Sequence, residues 1–131
     1  MAANVPGGSI TFGGLDTDNC GDVIAYHPIT SVSFFEFPLN KVSVGKYTEI
    51  NPSWRVVSAS HKAFIYGPTS SIQKIATEYG GTFAPGLCVL AIANAGDSDH
   101  DWQLGVPFIQ SYCNVYDVGQ MKIGFALPKN A

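Results

Sequence analysis

Ser60, His61 and Lys62 stand side by side between two apolar runs, Val56-Val57 and Phe64-Ile65-Tyr66, and come closest in this 131-residue chain to a reacting group. A serine hydroxyl activated by an imidazole or an amine is a nucleophile. Neighbours in an extended chain point to opposite faces, however, so Ser60 and His61 meet only across a special turn. The sequence therefore favours a partly solvated loop here over a hydrolase. Asp97, Asp99 and Asp101 alternate like the opening of a calcium loop. The sixth position of that loop is Trp102 where a glycine belongs, and the twelfth is Phe108 where a glutamate belongs, so a solvated acidic loop is expected. His27 and His100 are isolated, which predicts turn or surface roles for both. Cys20, Cys88 and Cys113 are an odd number, allowing one internal bridge at most, and three buried thiols are the alternative. None is spaced as Cys-x-x-Cys, so zinc has no local support. No metal or cofactor is expected.

The elements that must hold these residues are mostly strands. Fourteen glycines and eight prolines punctuate short apolar runs, as in a mainly β chain with frequent turns. Ser9-Ile10-Thr11-Phe12 alternates and ends at Gly13-Gly14. Val23-Ile24-Ala25-Tyr26 follows, then Phe34-Phe35-Glu36-Phe37 and Leu39 to Val44, broken at Pro38, which suits an edge or a bend. Phe34, Phe35 and Phe37 are expected in the core. Pro68-Thr69-Ser70-Ser71 opens the clearest helix, with Ile72, Ile75, Ala76 and Tyr79 on one face and Gly80-Gly81 at its end. Leu87 to Ala93 reads as a buried strand, Pro107 to Tyr112 as one or two helical turns, and Asn114 to Val118 with Met121 to Leu127 as a hairpin. No repeat, low-complexity tract or linker divides residues 1–131, which are expected to form one domain.

Composition narrows the partners. Seven Lys and Arg against ten Asp and Glu give a net charge of −3, with no basic cluster, so nucleic acid is not expected. No apolar run is long enough to cross a bilayer, and no membrane partner is expected. Met1 to Pro6 has neither the basic start nor the apolar stretch of a secretory signal, which leaves localisation open.

Four blocks, in order, carry a resemblance. They are Ile10-Thr11-Phe12-Gly13-Gly14-Leu15-Asp16 with Cys20-Gly21, then Tyr26-His27-Pro28-Ile29, then Trp54 through Gly67-Pro68, and finally Trp102-Gln103-Leu104-Gly105 through Ile123-Gly124-Phe125-Ala126. Together they resemble the C-terminal lobe of pepsin-like aspartic peptidases, most closely the nematode branch. The resemblance implies one lobe of the acid-protease β-barrel fold with one or two short helices. It also implies a bridge between Cys20 and Cys113, and a family that is extracellular or lysosomal. In that family each of two lobes offers an Asp-Thr/Ser-Gly loop, and the paired carboxylates share a proton and activate water, because like charges at that distance cannot both ionise.

Laying the family's Asp-Thr-Gly-Thr-Ser back from Gly67-Pro68 puts Ala59, Ser60, His61, Lys62 and Ala63 on the five positions. Only Ser60 keeps the chemical type. A methyl group cannot do acid or base work, and His61 stands where the family has glycine. Two further departures follow. Between Tyr79 and Cys88 the family carries several dozen more residues, including strands and the partner of Cys88, so part of the lobe is expected to be missing. Val106 stands where the family commonly has an aspartate. The surviving Leu104-Gly105 pair implies that the Val56-Val57 strand runs beside it. The expected function is that of an inactive aspartic endopeptidase homologue, with no catalytic residue of its own, that binds a peptide or a protein or associates with itself through the lobe–lobe face. A homodimer with two identical loops would still lack a carboxylate, and the alternative is a truncated product of a gene for an active secreted or lysosomal enzyme.

Overall fold

The computed structural model describes residues 7–31, 33–80, 91–96 and 100–129. Among these described residues ten strands and two helices follow in the order β1 (Cys20–Pro28), β2 (Glu36–Pro38), β3 (Lys41–Val44), β4 (Tyr47–Ile50), β5 (Arg55–Ser58), β6 (Ile65–Gly67), α1 (Thr69–Glu78), β7 (Ile92–Asn94), β8 (Trp102–Leu104), α2 (Val106–Ile109), β9 (Cys113–Asp117) and β10 (Lys122–Pro128). The mainly β expectation holds. One sheet has the order β1-β10-β9, a second the order β2-β5-β8-β6-β7, and β3-β4 form a separate hairpin.

The core lies where the first two sheets and α1 meet. Phe37, Trp54, Val56, Ile75, Trp102 and Ile123 form one buried cluster, drawing on both sheets and the helix. Phe125 of β10 adds a ring 5.6 Å from Phe37 and 5.3 Å from Phe108 of α2. His27 lies within this aromatic group, stacked on Phe37 at 5.5 Å, so its role is packing within a strand rather than a turn or the surface. Of the three phenylalanines expected inside, Phe37 is buried and Phe35 packs against the core, whereas Phe34 is half exposed.

Local chemistry explains most boundaries. Pro38 closes β2 on the outer edge of its sheet, where its missing N–H leaves no ladder bond unmade. Gly80 ends α1 at φ +68°, a conformation that costs glycine nothing. The helix buries Ser71 and Ile75, while Tyr79 at its end is exposed, so the apolar face is shorter than its spacing predicts. Of the β3-β4 hairpin the residue pattern predicts the first strand but not β4. The hairpin is tied to α1 by Glu49, which accepts hydrogen bonds from Ser71 Oγ at 2.9 Å and from the Tyr47 hydroxyl. Glu78 adds a bond from the Lys46 N–H at 2.7 Å. Ser9 to Phe12 is not a strand; Ile10 and Phe12 are 83% and 91% exposed. Of the Leu87–Ala93 strand only Ile92 onward is seen as β7, and residues 87–90, with Cys88, lie outside the described residues. Among the described residues no helix is long and apolar enough to cross a membrane.

A disulfide joins Cys20 at the start of β1 to Cys113 at the start of β9, across 93 residues of chain. Its main effect is to restrict the unfolded chain, and a loop of that length corresponds to about 4 kcal/mol. Replacing both cysteines by serine is expected to lower the urea-derived unfolding free energy by that order. A loss of under about 1 kcal/mol would show that strain or residual structure cancels the constraint.

Candidate functional site

The loop that carries residues 59–63 connects β5 to β6, but those strands are not neighbours. β8 lies between them, parallel to β5 through Val56↔Trp102, Val57↔Gln103 and Ser58↔Leu104, and antiparallel to β6 through Tyr66↔Gln103. The connection must therefore pass over the chain as it leaves β8, and it does so at Gly105. A Cβ there would lie 2.1 Å from the Phe64 carbonyl oxygen and 2.5 Å from that of Lys62. Only glycine permits the crossing. The expectation that Val56-Val57 runs beside Leu104-Gly105 is met.

Backbone bonds then fix the loop. Ala59 N–H donates to the Leu104 carbonyl at 2.9 Å, Lys62 N–H closes a turn on the Ala59 carbonyl at 2.9 Å, and Val106 N–H donates to the Lys62 carbonyl at 2.8 Å. At the loop's base Ser58 N–H reaches the Phe35 carbonyl at 3.1 Å, and Ser58 Oγ shares a hydrogen bond with the Tyr116 hydroxyl at 2.8 Å, which links the two larger sheets. Gly67 completes the frame: a Cβ there would meet the Trp102 ring at 2.5 Å.

Into this frame the sequence places no carboxylate between Val56 and Phe64. The Ala59 methyl is buried at 3% exposure, whereas Ser60, His61 and Ala63 face solvent. Lys62 is half buried, with Nζ 5.5 Å from the centre of the Tyr66 ring. Among the described residues no hydrogen bond joins Ser60 to His61 or Lys62, so the serine has no base at hand. Residues 56–64 hold no pair of carboxylates. Concavities lie elsewhere on the described surface and do not include residues 59–63. One, of about 470 Å³, is an open groove between the β3-β4 hairpin and α1, with Lys46 and Lys74 on its walls. The other, of about 100 Å³, is mostly apolar, lined by Ile29, Ser33, Phe34, Phe35, Val118 and Met121 beside the loop's base.

Sequence reasoning passed over one cluster. Glu36 is buried, and its carboxylate accepts hydrogen bonds from Thr30 Oγ1 and His100 Nδ1, each at 2.7 Å, with the Arg55 guanidinium 3.6 Å away. His100 is thus a hydrogen-bond partner of a buried carboxylate, not the surface residue its isolation in the chain suggested. The charged residue inside Phe34-Phe35-Glu36-Phe37 was the available signal, since a buried carboxylate requires partners. Asp101 accepts the Arg55 N–H at 2.9 Å; Asp97 and Asp99 lie outside the described residues.

A β-rich lobe with a turn held over a glycine crossing, one disulfide and no carboxylate in the turn is the class of protein that the geometry defines. The family model for eukaryotic aspartyl proteases matches residues 2–85, and the chain belongs to that family. It is 29% identical to aspartic protease 6 and 28% identical to aspartic protease 1 of Caenorhabditis elegans, covering 95% and 96% of this chain but 42% and 43% of those proteins. Aspartic protease 2 of Necator americanus is 27% identical, covering 96% of this chain and 38% of that protein. The chain thus spans less than half the length of these relatives. The first match extends over 165 aligned positions while taking in only 95% of 131 residues, so roughly forty positions of that relative face no residue here.

The crossing is open to a direct test. Gly105→Ala is expected to cost about 3 kcal/mol of stability through overpacking against two carbonyl oxygens, whereas Ser60→Ala stays within about 0.5 kcal/mol. Equal effects in a denaturant titration would refute the assignment of the loop's rigidity to Gly105.

Proposed function

We propose that this chain is a catalytically inactive aspartic protease homologue that acts by binding a peptide or a protein. The observation that carries this reading is Ala59. On this reading its methyl, which is buried in a hydrogen-bonded loop, stands where the family's water-activating carboxylate belongs. Ala59 to Ala63 form, on this reading, a degenerate active-site loop. Water activation in this family takes two adjacent carboxylates, one protonated and one ionised, so a lobe without its own cannot supply half of the pair. Binding remains. The apolar hollow beside Phe35 suits one apolar side chain of a peptide, and the exposed Ile10 and Phe12 suit a protein partner or a second copy of the chain.

A second reading is supported by the alignment itself. Roughly forty unmatched positions inside an otherwise collinear match favour a shortened product of a gene whose full product is an active aspartic endopeptidase, secreted or lysosomal as the family resemblance implies. On that reading Cys88 is one half of a second disulfide whose partner lies in the absent stretch.

Incubating the purified chain with peptide substrates at acid pH is expected to give no pepstatin-sensitive cleavage, and Ala59→Asp alone is expected not to restore it. Cleavage by the unmodified chain would overturn the inactive assignment. Sedimentation velocity over a hundredfold concentration range is expected to show association, and a monomer throughout would remove self-association from the reading.

A further inference from the structure

The Glu36 cluster is independent of the protease loop and has a chemistry of its own. Its members come from four places in the chain: Thr30 from the β1-β2 connection, Glu36 from β2, Arg55 from the start of β5, and His100 from the segment before β8. The Glu36 side chain is 8% exposed and that of His100 17%, while Arg55 reaches out to solvent at 62%. Asp101 closes the group by accepting the Arg55 backbone N–H, and the His100 ring packs edge-on against Phe34 at 5.1 Å. The Glu36 carboxylate thus ties the segment leading into β8 to β2, beside the bond from the Arg55 N–H to Asp101 that ties it to β5.

We propose that Glu36 and His100 form an acid-sensitive clasp: with Glu36 ionised it locks the His100–Asp101 segment against β2 and β5, and protonation releases that segment while the sheets persist. The ionised carboxylate accepts from Thr30 and from the imidazole N–H, whether the ring is charged or neutral. A protonated carboxyl must spend one oxygen as a donor and loses its attraction to Arg55. Among the described residues His100 and Arg55 are the charged or titratable groups that face it. His27, on β1, turns its ring to Phe37 and Phe125, and Asp101 turns to the Arg55 amide.

Burial pushes the Glu36 carboxyl up, but the hydrogen bonds from Thr30 and His100 and the charges of His100 and Arg55 outweigh it, leaving the group below its ordinary value. A lowered folded-state value means that the clasp contributes fully above the ordinary glutamate range and is lost as pH falls through the lowered value. Release is thus an event of acid solution.

Hydrogen exchange on the full chain, corrected for intrinsic rates and stepped from pH 7 to pH 3, tests this. The amides of Trp102 to Leu104 are expected to lose protection by about tenfold before those of β9 and β10 do. Fluorescence of Trp54 and Trp102, chain neighbours of Arg55 and Asp101, should move over the same interval. Glu36→Gln is expected to show low protection at pH 7 and no acid step. Thr30→Val, which removes one bond to the ionised form, is expected to move the step to higher pH. A step unchanged in Glu36→Gln, a step unmoved in Thr30→Val, or simultaneous loss of protection throughout the chain overturns the clasp; if Glu36→Gln fails to fold, Thr30→Val decides.

Discussion

The arrangement of this molecule depends on one close approach, the passage of the β5-β6 loop over the backbone at Gly105. Two carbonyl oxygens occupy the volume where any other residue would carry its first side-chain carbon. Because the approach is that close, the Ala59 and Val106 amides on either side of the crossing find carbonyl partners on the other strand of the crossing. β8 can then pair with β5 on one side and β6 on the other, with the Trp102 ring laid against Gly67 and edge-on to Trp54 at 5.5 Å. The buried cluster around Val56 and Trp102 follows from that pairing.

Such a frame is written in backbone hydrogen bonds and in two glycines, so it is indifferent to the chemistry of the loop's side chains. Ala59 satisfies it with its amide and carbonyl alone, and its methyl fits the buried position without an unpaired polar atom. Reactivity and architecture are thereby separable in this lobe. A carboxylate at the same point would need hydrogen-bond donors and a neighbouring acid to share its proton, neither of which the architecture demands.

Much of this was legible in the residues. Glycines, prolines and alternating runs announced a β chain, the Ile72, Ile75 and Ala76 spacing announced α1, and the hairpin around Gly119 was readable because its strands are long and its turn local. What escaped had non-local causes. β4 is Tyr47-Thr48-Glu49-Ile50, a weak pattern whose polar Glu49 is inward because Ser71 and Tyr47 supply donors to it. The same is true of Glu36, whose partners Thr30 and His100, the latter 64 residues away, are brought to it only by the fold. The sequence contains both partners, but nothing in its spacing says that they meet.

Ser9 to Phe12 is the opposite case, a strong local signal without a strand. Alternation encodes a strand only where another backbone offers a ladder, since strands are not stable singly. The root of the segment is well fixed: Asp16 accepts bonds from Ser9 and Asn19, and Lys129 donates to the Asn19 and Thr17 carbonyls. Beyond that root, no strand pairs with it among the described residues, and its two large apolar side chains project into solvent. Burying Phe12 alone is worth about 2 kcal/mol, so solvent is an unfavourable surrounding for a segment patterned in this way. The segment thus carries a strand pattern that the described elements of the chain leave unsatisfied, because a pattern of side chains cannot by itself supply the ladder partner that a strand requires.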